Sequence, residues 1–203
     1  IKVYLEIIKN KKHCSTDEVE QYISIIHNKS EKLENLINDL FEYTKLTNSE
    51  VSLNYQSIDL NQLLSQLIEE FVPVTNANNV TISKEFLNEK TILNLDPDKT
   101  ARIFENLLTN AIKYSIKPSD IKVKLEKTND FVLVSIKNKC DIIEAKELER
   151  IFERFYRIDK SRSSETGGSG LGLAIAKSLA ELQGGTIDVA CEGEDIIFTV
   201  RFC

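Results

Sequence analysis

Glycine is confined to one short part of this 203-residue chain. All seven glycines lie between Gly167 and Gly193, and the long stretch before them contains none. A chain uses glycine where its backbone takes unusual angles or comes very close to a ligand. The distribution therefore predicts that the glycine-bearing segment lies where something is bound.

The residues around the first glycines have the character of an anion site. A helix is predicted over Leu171–Gln183, because apolar residues recur there at three- and four-residue spacing. Ahead of it, five basic side chains stand against two acidic ones, Glu153 and Asp159. The basic residues are Arg150, Arg154, Arg157, Lys160 and Arg162. Backbone N–H groups and the positive end of a helix dipole attract anions, so we predict an anionic ligand. A flexible loop before a glycine-rich helix start is the alternative.

Two common phosphate-binding motifs do not match these glycines. A Walker A loop requires a glycine directly before its lysine, and Ala176 stands in that place before Lys177. A dinucleotide fingerprint follows a buried strand, whereas the polar stretch Asp159–Thr166 precedes the glycines here. The spacing Gly-x-Gly-x-Gly from Gly168 onward also belongs to neither motif.

Composition excludes several classes of protein. Hydrophobic residues make up 41% and charged residues 29% of the chain, as in ordinary soluble globular proteins. A net charge of −6 gives no electrostatic basis for nucleic-acid binding, so no nucleic-acid partner is expected. No apolar run approaches the roughly 20 residues that span a bilayer.

The chain starts within an apparent helix and without methionine, so we expect a piece of a longer protein. The cysteines are scattered without metal-ligand spacing, as suits a reducing cytosol: Cys14, Cys140, Cys191 and Cys203.

The first domain, residues 1–56, is predicted to be an antiparallel helical hairpin. Ile1–Lys9 is amphipathic, and Ser15 or Thr16 is suited to cap a second helix over Glu18–Leu46 that contains neither glycine nor proline. At about 1.5 Å per residue the second helix is roughly 40 Å long, which is too long for one small core to cover. Its apolar stripe therefore predicts that two hairpins associate as a homodimer.

The second domain, residues 57–203, is predicted to be α+β, a two-layer α/β sandwich. Asn48–Ser57 is a polar linker, and the helix Leu60–Val72 is expected to end near Pro73. Asp96, as N-cap before a proline, begins a helix over Asp98–Ser115. The other predicted elements are the helices Glu144–Phe152 and Leu171–Gln183 and the strands Val80–Phe86, Thr91–Leu95, Ile121–Lys127, Phe131–Lys137, Thr186–Val189 and Ile196–Phe202.

One face of the predicted helix over Asp98–Ser115 carries groups that suit a metal–phosphate ligand. Asn106, Asn110 and Lys113 stand at positions i, i+4 and i+7, so their side chains share a face. Amide oxygens suit a hard cation such as Mg²⁺, and a lysine suits a phosphate. A solvated polar face is the alternative interpretation.

Three segments taken together resemble bacterial sensor histidine kinases. ENLLTNAIKYS, IFERFYRIDKSRS and GGSGLGLAIAK, in this order, look like the N, F and G2 boxes of that family. The resemblance covers the whole chain: residues 57–203 resemble the ATP-binding catalytic domain of histidine-kinase (GHKL) type, and the hairpin resembles the dimerisation and phosphoacceptor domain. The segments DPDKTARIFENLL and FYRIDKSRSSETGGSGLGLAIAK look most like the vancomycin-resistance group.

The resemblance implies an ATP site with bound Mg²⁺. It makes Asn110 the magnesium ligand, places Asn106 and Lys113 at the phosphates and lays Tyr114 against the adenine. Arg157 of the F box would also reach the phosphates, and the glycines would let a lid fold over them. The implied ATP-binding residues are Asn106, Asn110, Lys113, Tyr114, Asn138, Ile143, Phe152, Arg157, Gly168, Gly170, Leu171, Gly172 and Leu173.

The implied activity is that of the cytoplasmic kinase core of a two-component sensor, with membrane contact through segments outside this chain. Such a core transfers the γ-phosphoryl group of ATP to a histidine, for relay to an aspartate on the receiver domain of a response regulator. Related ATPases carry a water-activating glutamate where this chain has Asn106, which cannot act as a general base. Glu105 is adjacent but turned about 100° away on the helix. Phosphoryl transfer is therefore favoured over hydrolysis by an ATPase of the same fold.

The first departure from the family pattern concerns the phosphate acceptor. The family places this histidine in a His-acid-x-x-x-Pro pattern, and neither His13 nor His27 lies in such a sequence. We therefore expect ATP binding without a catalytic or acceptor histidine in this chain, and hence no autophosphorylation.

The second departure concerns the G1 box, which in the family reads Asp-x-Gly-x-Gly. This chain has Asn138, Cys140 and Ile142 at those places. The amide can still accept a hydrogen bond from the adenine amino group, without charge assistance. Cys140 is interpreted as a small buried hydrophobe, with a place in the adenine pocket as the alternative. Because weaker nucleotide binding is expected, a catalytically silent ATP-binding or scaffolding module is the alternative function.

Overall fold

Two helices in contact form the N-terminal region. The computed structural model describes residues 1–10, 15–48, 51–158 and 168–203. Helix α1 runs over Lys2–Asn10 and α2 over Thr16–Thr47. The rings of Tyr4 and Tyr22 join them, with centroids 5.8 Å apart. The predicted pair of helices is therefore confirmed, while His13 lies outside the described residues.

A capping box begins α2 at one of the two positions that the sequence predicted. The Ser15 hydroxyl accepts the backbone N–H of Glu18 at 3.3 Å, and the Glu18 carboxylate accepts the backbone N–H of Ser15 at 3.2 Å. These bonds satisfy two backbone donors that a helix start otherwise leaves unpaired. The pair therefore fixes where the long helix starts.

Helix α2 presents an apolar stripe to solvent. None of its residues is buried. The exposed members of the stripe are Ile23, Leu33, Leu36, Ile37, Leu40 and Phe41. Near the C-terminal end of α2, Tyr43 and Leu46 pack against the core of the remaining chain. Because this apolar stripe is exposed, the structure is compatible with the predicted homodimer, which remains a prediction. In the described ranges no helix is both long and apolar enough to cross a membrane.

The rest of the described chain forms helices packed on a five-stranded sheet. The elements are β1 Gln56–Asp59, α3 Leu60–Ala77, β2 Val80–Glu85, β3 Ile92–Leu95, α4 Pro97–Tyr114, β4 Ser119–Lys127, β5 Val132–Lys139, α5 Ala145–Leu148, α6 Gly172–Leu182, β6 Thr186–Glu192 and β7 Asp195–Phe202. The strand order in the sheet is β2-β4-β5-β7-β6, with β2 and β4 parallel and the other neighbours antiparallel. A separate antiparallel pair joins β1 to β3. The predicted α+β sandwich is confirmed.

A single core lies between the sheet and the helices α3, α4 and α6. Along β5 buried and half-buried residues alternate, as expected for a strand with one face on the core. Helix α4 buries seven residues of one face, among them Phe104, which is fully buried. Phe198 and Phe202 of β7 are equally buried. Because this core immobilises one face of α4, the opposite face is held in a fixed place.

Charged and aromatic contacts attach α2 to the sandwich. The Arg102 guanidinium on α4 donates to Asp39 at 2.9 Å and to Glu42 at 3.0 Å on α2. The two carboxylates raise the pKa of Arg102, although its partial burial lowers it. The Arg154 guanidinium also lies 5.4 Å from the centre of the Tyr43 ring. These contacts orient the long helix against α4.

Helix α3 does not end at Pro73 as predicted. It continues for a further turn to Ala77, with the proline inside it. Buried residues on both sides of the proline, Leu67 before it and Thr75 after it, hold the helix against the core. Packing therefore outweighs the loss of one backbone donor.

Two further boundaries differ from the prediction. The polar sequence at Gln56–Asp59 is a strand rather than the end of a linker, because its backbone pairs with β3. The helix predicted over Glu144–Phe152 is confined to Ala145–Leu148 and is followed by turns. Phe152 turns inward there, and its ring meets Phe198 edge-on at 6.2 Å. Strand β1 starts one residue before the domain boundary predicted at 57, and the division into 1–56 and 57–203 stays a prediction.

Candidate nucleotide-binding site

The exposed face of α4 carries the three side chains that the sequence singled out. Asn106, Asn110 and Lys113 are all half-buried, so each retains accessible surface beside the core. The opposite face of the same turns is buried through Leu107 and Ala111, among others. The predicted division of α4 into a core face and a polar face is therefore confirmed.

The glycine-bearing segment lies directly against this polar face. A methyl group on Gly172 would lie 3.1 Å from Oδ1 of Asn106. A methyl group on Gly168 would collide with Nζ of Lys113. Contacts this close show that the segment before α6 approaches the side chains of Lys113 and Asn106, which would have to shift for a larger residue to fit. Tertiary structure thus brings together two motifs that are about sixty residues apart in the chain.

Gly170 occupies the tightest point of this segment. Its φ angle is +69°, in the left-handed region, and an added methyl group would lie 2.9 Å from Cα of Phe155. Its carbonyl accepts the Phe155 backbone N–H at 2.9 Å. Phe155 itself has a φ of +59°, which is unusual for an aromatic residue. Nothing in the sequence indicated that Phe155 packs against Gly170, because its unusual φ angle arises only where its loop meets the loop of Gly170.

Local hydrogen bonds order the loop that leads into α6. The hydroxyl of Ser169 accepts the backbone N–H of Leu171 at 3.0 Å. Leu171 is the buried N-cap of α6, and Leu173 is half-buried in the first turn. Arg157 donates through Nη1 to the carbonyl of Gly168 at 3.2 Å. Lys113 and Arg157, predicted from separate boxes, therefore both reach this loop.

Two buried amide atoms on residues predicted for the site have no hydrogen-bond partner among the described residues. They are Nδ2 of Asn106 and Oδ1 of Asn138. A buried polar atom without a partner is costly and calls for an explanation. A donor on α4 and an acceptor at the end of β5 match a ligand that carries an anionic group and an amino group. The residues present therefore fit a nucleotide.

The aromatic residues predicted for the site differ in their surroundings. Tyr114 is 46% exposed at the end of α4, and Nζ of Lys113 lies 4.9 Å from its ring centre. Phe152 is half-buried against the core, with Nζ of Lys177 at 5.4 Å from its ring. Ile143 also packs partly against the core. Tyr114 is thus exposed at the end of α4, whereas Phe152 and Ile143 are partly covered by the core.

The end of β5 is closed by side chains. Cys140 is 5% exposed and belongs to the core, which confirms its interpretation as a small buried hydrophobe. Burial, with a contribution from the neighbouring Cys191 thiol, raises the pKa of Cys140 from 9.0 to about 11. Burial also raises the pKa of Cys191, although a hydrogen bond from Cys140 lowers it. Ile142 is 81% exposed, so this side chain does not fill space beside Asn138.

Comparison with known proteins agrees with this geometry. Residues 95–203, about half of the chain, match the family described as histidine kinase-, DNA gyrase B-, and HSP90-like ATPase. The chain belongs to this family.

Several sensor proteins are similar to this chain over most of its length. Sensor protein VanSC of Enterococcus gallinarum is 35% identical over 98% of this chain and 54% of its own length. Sensor protein VanS of Enterococcus faecium is 38% identical over 91% of this chain and 47% of its own length. The predicted resemblance to bacterial sensor histidine kinases, including the VanS group, is confirmed.

Solved structures of histidine kinases share the fold. Acinetobacter baumannii histidine kinase AdeS superposes with a TM-score of 0.78 at 20% identity, covering 99% of this chain and 91% of that one. Histidine kinase ThkA in complex with response regulator protein TrrA gives 0.79 at 23% identity, covering 98% of this chain and 56% of that one. The chain spans about half the length of the curated VanS relatives.

Proposed function

We propose that this chain is the kinase core of a two-component sensor. It binds Mg-ATP and transfers the γ-phosphoryl group to a histidine, for relay to an aspartate of a response regulator. Membership of the ATPase family and likeness to sensor proteins over nearly the whole chain support this function. They also support a place for the core on the cytoplasmic side of a membrane-anchored sensor.

The observation that carries the proposal is the meeting of the α4 polar face with the loop before α6. Asn106 faces Gly172, Lys113 faces Gly168, and Arg157 donates to the Gly168 carbonyl. Two cations, a buried amide donor and the start of a helix converge on one place. A triphosphate requires this combination, because it is a dense anion with many acceptors.

Each side chain in this arrangement has a distinct role in the proposal. Asn110 would hold Mg²⁺, which supplies neutralisation of phosphate charge when bound. The unpartnered Nδ2 of Asn106 would donate to a phosphate oxygen. Lys113 and Arg157 would stabilise charge that develops on the transferred group. Tyr114 would lie against the base, and the unpartnered Oδ1 of Asn138 would accept from its amino group.

The position of Glu105 supports transfer to a protein acceptor over hydrolysis. Its carboxylate lies 3.6 Å from Nη1 of Arg102, on the side of α4 that faces α2. It is therefore turned away from the loop before α6. Asn106, which does face that loop, has no basic atom to activate water. Among the described residues, neither Glu105 nor Asn106 therefore supplies the proposed site with a base that could activate water.

The proposed partners are a second copy of this chain and a receiver domain. The uncovered stripe of α2 supports association of two copies, and the solved complex of ThkA with a response regulator protein supports the second partner. His27 is 67% exposed and lies 3.5 Å from Glu31 of the same helix, as a surface residue does. Because the residues after His27 do not follow the His-acid-x-x-x-Pro pattern of the family, we infer that His27 is not the acceptor and that the phosphoryl group goes to a histidine supplied by another segment or chain.

The deciding experiment combines nucleotide binding with transfer to a supplied acceptor. Calorimetry should show Mg²⁺-dependent ATP binding that is weakened at least about tenfold in Asn110→Ala, because the metal loses its protein oxygen. Asn94→Ala, on the exposed side of β3, is the matched control and should bind as the parent does. A histidine-bearing acceptor domain from a related sensor should then gain acid-labile phosphate, and the chain alone should gain none.

The closed end of β5 favours one second candidate, a silent ATP-binding module. Asn138 replaces the aspartate that the family uses beside the base, which reduces the expected affinity. ATP binding without any transfer to the supplied acceptor would support this candidate over the kinase. The absence of ATP binding would reject both.

A further inference from the structure

Two free cysteines lie beside the turn that joins β6 to β7. Cys191 is the next-to-last residue of β6 and stands opposite Ile196 of β7, which also stands opposite Asn138 of β5. Cys140 follows the end of β5 directly, and its backbone N–H donates to the carbonyl of Glu194 in the turn at 2.7 Å. The strand pairing therefore brings two cysteines that are far apart in the sequence to the same end of the sheet.

The side chains of Cys140 and Cys191 point toward each other. Cys140 belongs to the core, and the half-buried Cys191 packs against that core. Their thiols share a hydrogen bond. Two cysteines can be bridged only if their side chains already approach each other, and thiols in hydrogen-bond contact do so. Among the described residues no group of three or more potential metal ligands lies together, so a disulfide is the product that this pair fits.

We propose that Cys140 and Cys191 form a modification site, a dithiol that a disulfide of low molecular mass oxidises to an intramolecular disulfide. The thiolate of Cys191, the more accessible residue, attacks one sulfur of the small disulfide and releases one small thiolate. The thiolate of Cys140 then attacks the Cys191 sulfur and releases the other. The protein gives up two electrons, and its two thiol protons pass to the released thiolates, so the small disulfide is reduced to two thiols.

The unequal burial of the two thiols sets the order of the two steps. Burial raises the pKa of Cys140 to about 11, which leaves little thiolate for an encounter with a reagent in solution. Once Cys191 carries the small thiol, Cys140 attacks within the same molecule, where a well-placed group reacts at a high effective concentration. Cys140 is therefore the residue that completes the bond.

The bond fastens a large part of the chain. It closes a loop of roughly fifty residues that contains α5, the loop before α6 and α6 itself. A link across such a loop lowers the entropy of the unfolded chain, so the oxidised protein should be the more stable form. We expect its Tm to exceed that of the reduced protein by about 10 °C. Reduction with dithiothreitol should abolish the difference.

Peptide mapping of the parent chain tests the site. The folded chain is incubated with oxidised glutathione, its remaining thiols are alkylated, and it is digested with trypsin. Trypsin places Cys140 on a peptide of residues 140–146 and Cys191 on a peptide of residues 178–201. We expect these two peptides, joined by a disulfide, as the main oxidised product. Oxidation of the chain in urea should instead give mixed pairs that include the other cysteines.

Single variants test the order of the two steps. Cys140→Ala should stop after the first step and retain one glutathione on Cys191. Cys191→Ala should leave Cys140 unmodified while the chain is folded, because Cys140 is only 5% exposed. Cys203→Ala, at an exposed position, is the control and should form the internal link as the parent does.

Two results would overturn the inference. One is a folded parent chain that forms no link between these two peptides, or that links either cysteine mainly to a different one. The other is an oxidised protein with an unchanged or lower Tm, since the folded backbone would then have to distort to form the bond. The peptide map uses the parent chain, so it decides the matter even if a variant does not fold. Neither result bears on ATP binding, which calorimetry tests separately.

Discussion

The two ends of the proposed nucleotide site are built on opposite principles. At the phosphate end the wall is backbone, and its shape depends on missing side chains: an added methyl at Gly170 would lie 2.9 Å from Cα of Phe155. At the base end the proposed contact is a side chain, Asn138, and the neighbouring Cys140 belongs to the core; they are 2% and 5% exposed. Substitutions at the two ends are therefore expected to have different effects. Added volume should weaken binding at the phosphate end, whereas at the base end a change in the polarity of Asn138 should weaken binding and a loss of volume at Cys140 should lower stability.

The largest effect is expected at Gly170. Alanine there meets fixed backbone and must adopt a φ of +69°, a conformation that costs about 1–2 kcal/mol for a residue with a Cβ. We expect Gly170→Ala to lose ATP binding by more than about tenfold in calorimetry. Gly184→Ala is the matched control, because Gly184 has a φ of +77° with nothing within 4 Å of an added methyl. It should lower thermal stability while keeping ATP affinity. Equal loss of affinity in both variants would falsify the steric account.

A smaller effect is expected at Gly172. The added methyl group meets Oδ1 of Asn106 at 3.1 Å, and this side chain can shift. Displacing one amide group costs about 1 kcal/mol, which corresponds to roughly a fivefold loss of ATP affinity. Gly168→Ala should cost less again, since the flexible Lys113 can move aside. Calorimetry on the three glycine variants should give the order Gly170, Gly172, Gly168, and a reversed order contradicts a backbone wall centred on Gly170.

At the base end, Cys140→Gly should change stability and leave ATP affinity as it is. Removing a buried side chain leaves a cavity in the core, which we expect to cost about 1–2 kcal/mol of unfolding free energy. Cys203→Gly, at an exposed position, is the control and should unfold like the parent in urea. Tighter ATP binding without loss of stability would instead place the Cys140 side chain inside the pocket.

At neutral pH the smallest effect is the pH dependence that Cys140 contributes, since it appears only above about pH 9. The pKa of Cys140 is raised from 9.0 to about 11, so the folded state favours the neutral thiol. This contribution to stability is fully present below about pH 9 and is lost as the pH rises through 11. The parent should therefore lose about 2 kcal/mol more than Cys140→Ala between these pH values in urea titrations. Parallel pH profiles for the two proteins would show that the thiol stays accessible to water.

Local patterns in the sequence were sufficient for the elements that build the phosphate end. Asp96 accepts the Lys99 backbone N–H at 3.0 Å as an N-cap, and α4 follows with the predicted polar face. Capping and helical periodicity act over a few residues, so they can be recognised without knowing the rest of the fold. The glycine spacing likewise indicated the segment that approaches Asn106 and Lys113.

Other features could not be predicted, because the forces that decide them come from distant residues. Strand β1 exists through its pairing with β3, and Pro73 stays within α3 because that helix is packed on both sides of it. The positive φ of Phe155 arises where its loop meets Gly170.

The sequence by itself determined the family resemblance, the polar face of α4 and the place of the glycines. The tertiary structure decided which polar atoms of that site have hydrogen-bond partners. Asn138 could be named from the sequence as an acceptor, but its orientation depends on a carbonyl that is bonded in turn to Ile116. The attachment of α2 through Arg102, Asp39 and Glu42 also joins residues about sixty positions apart. Hydrogen bonds and ion pairs need a defined distance and direction, and these are set only when the whole chain has folded.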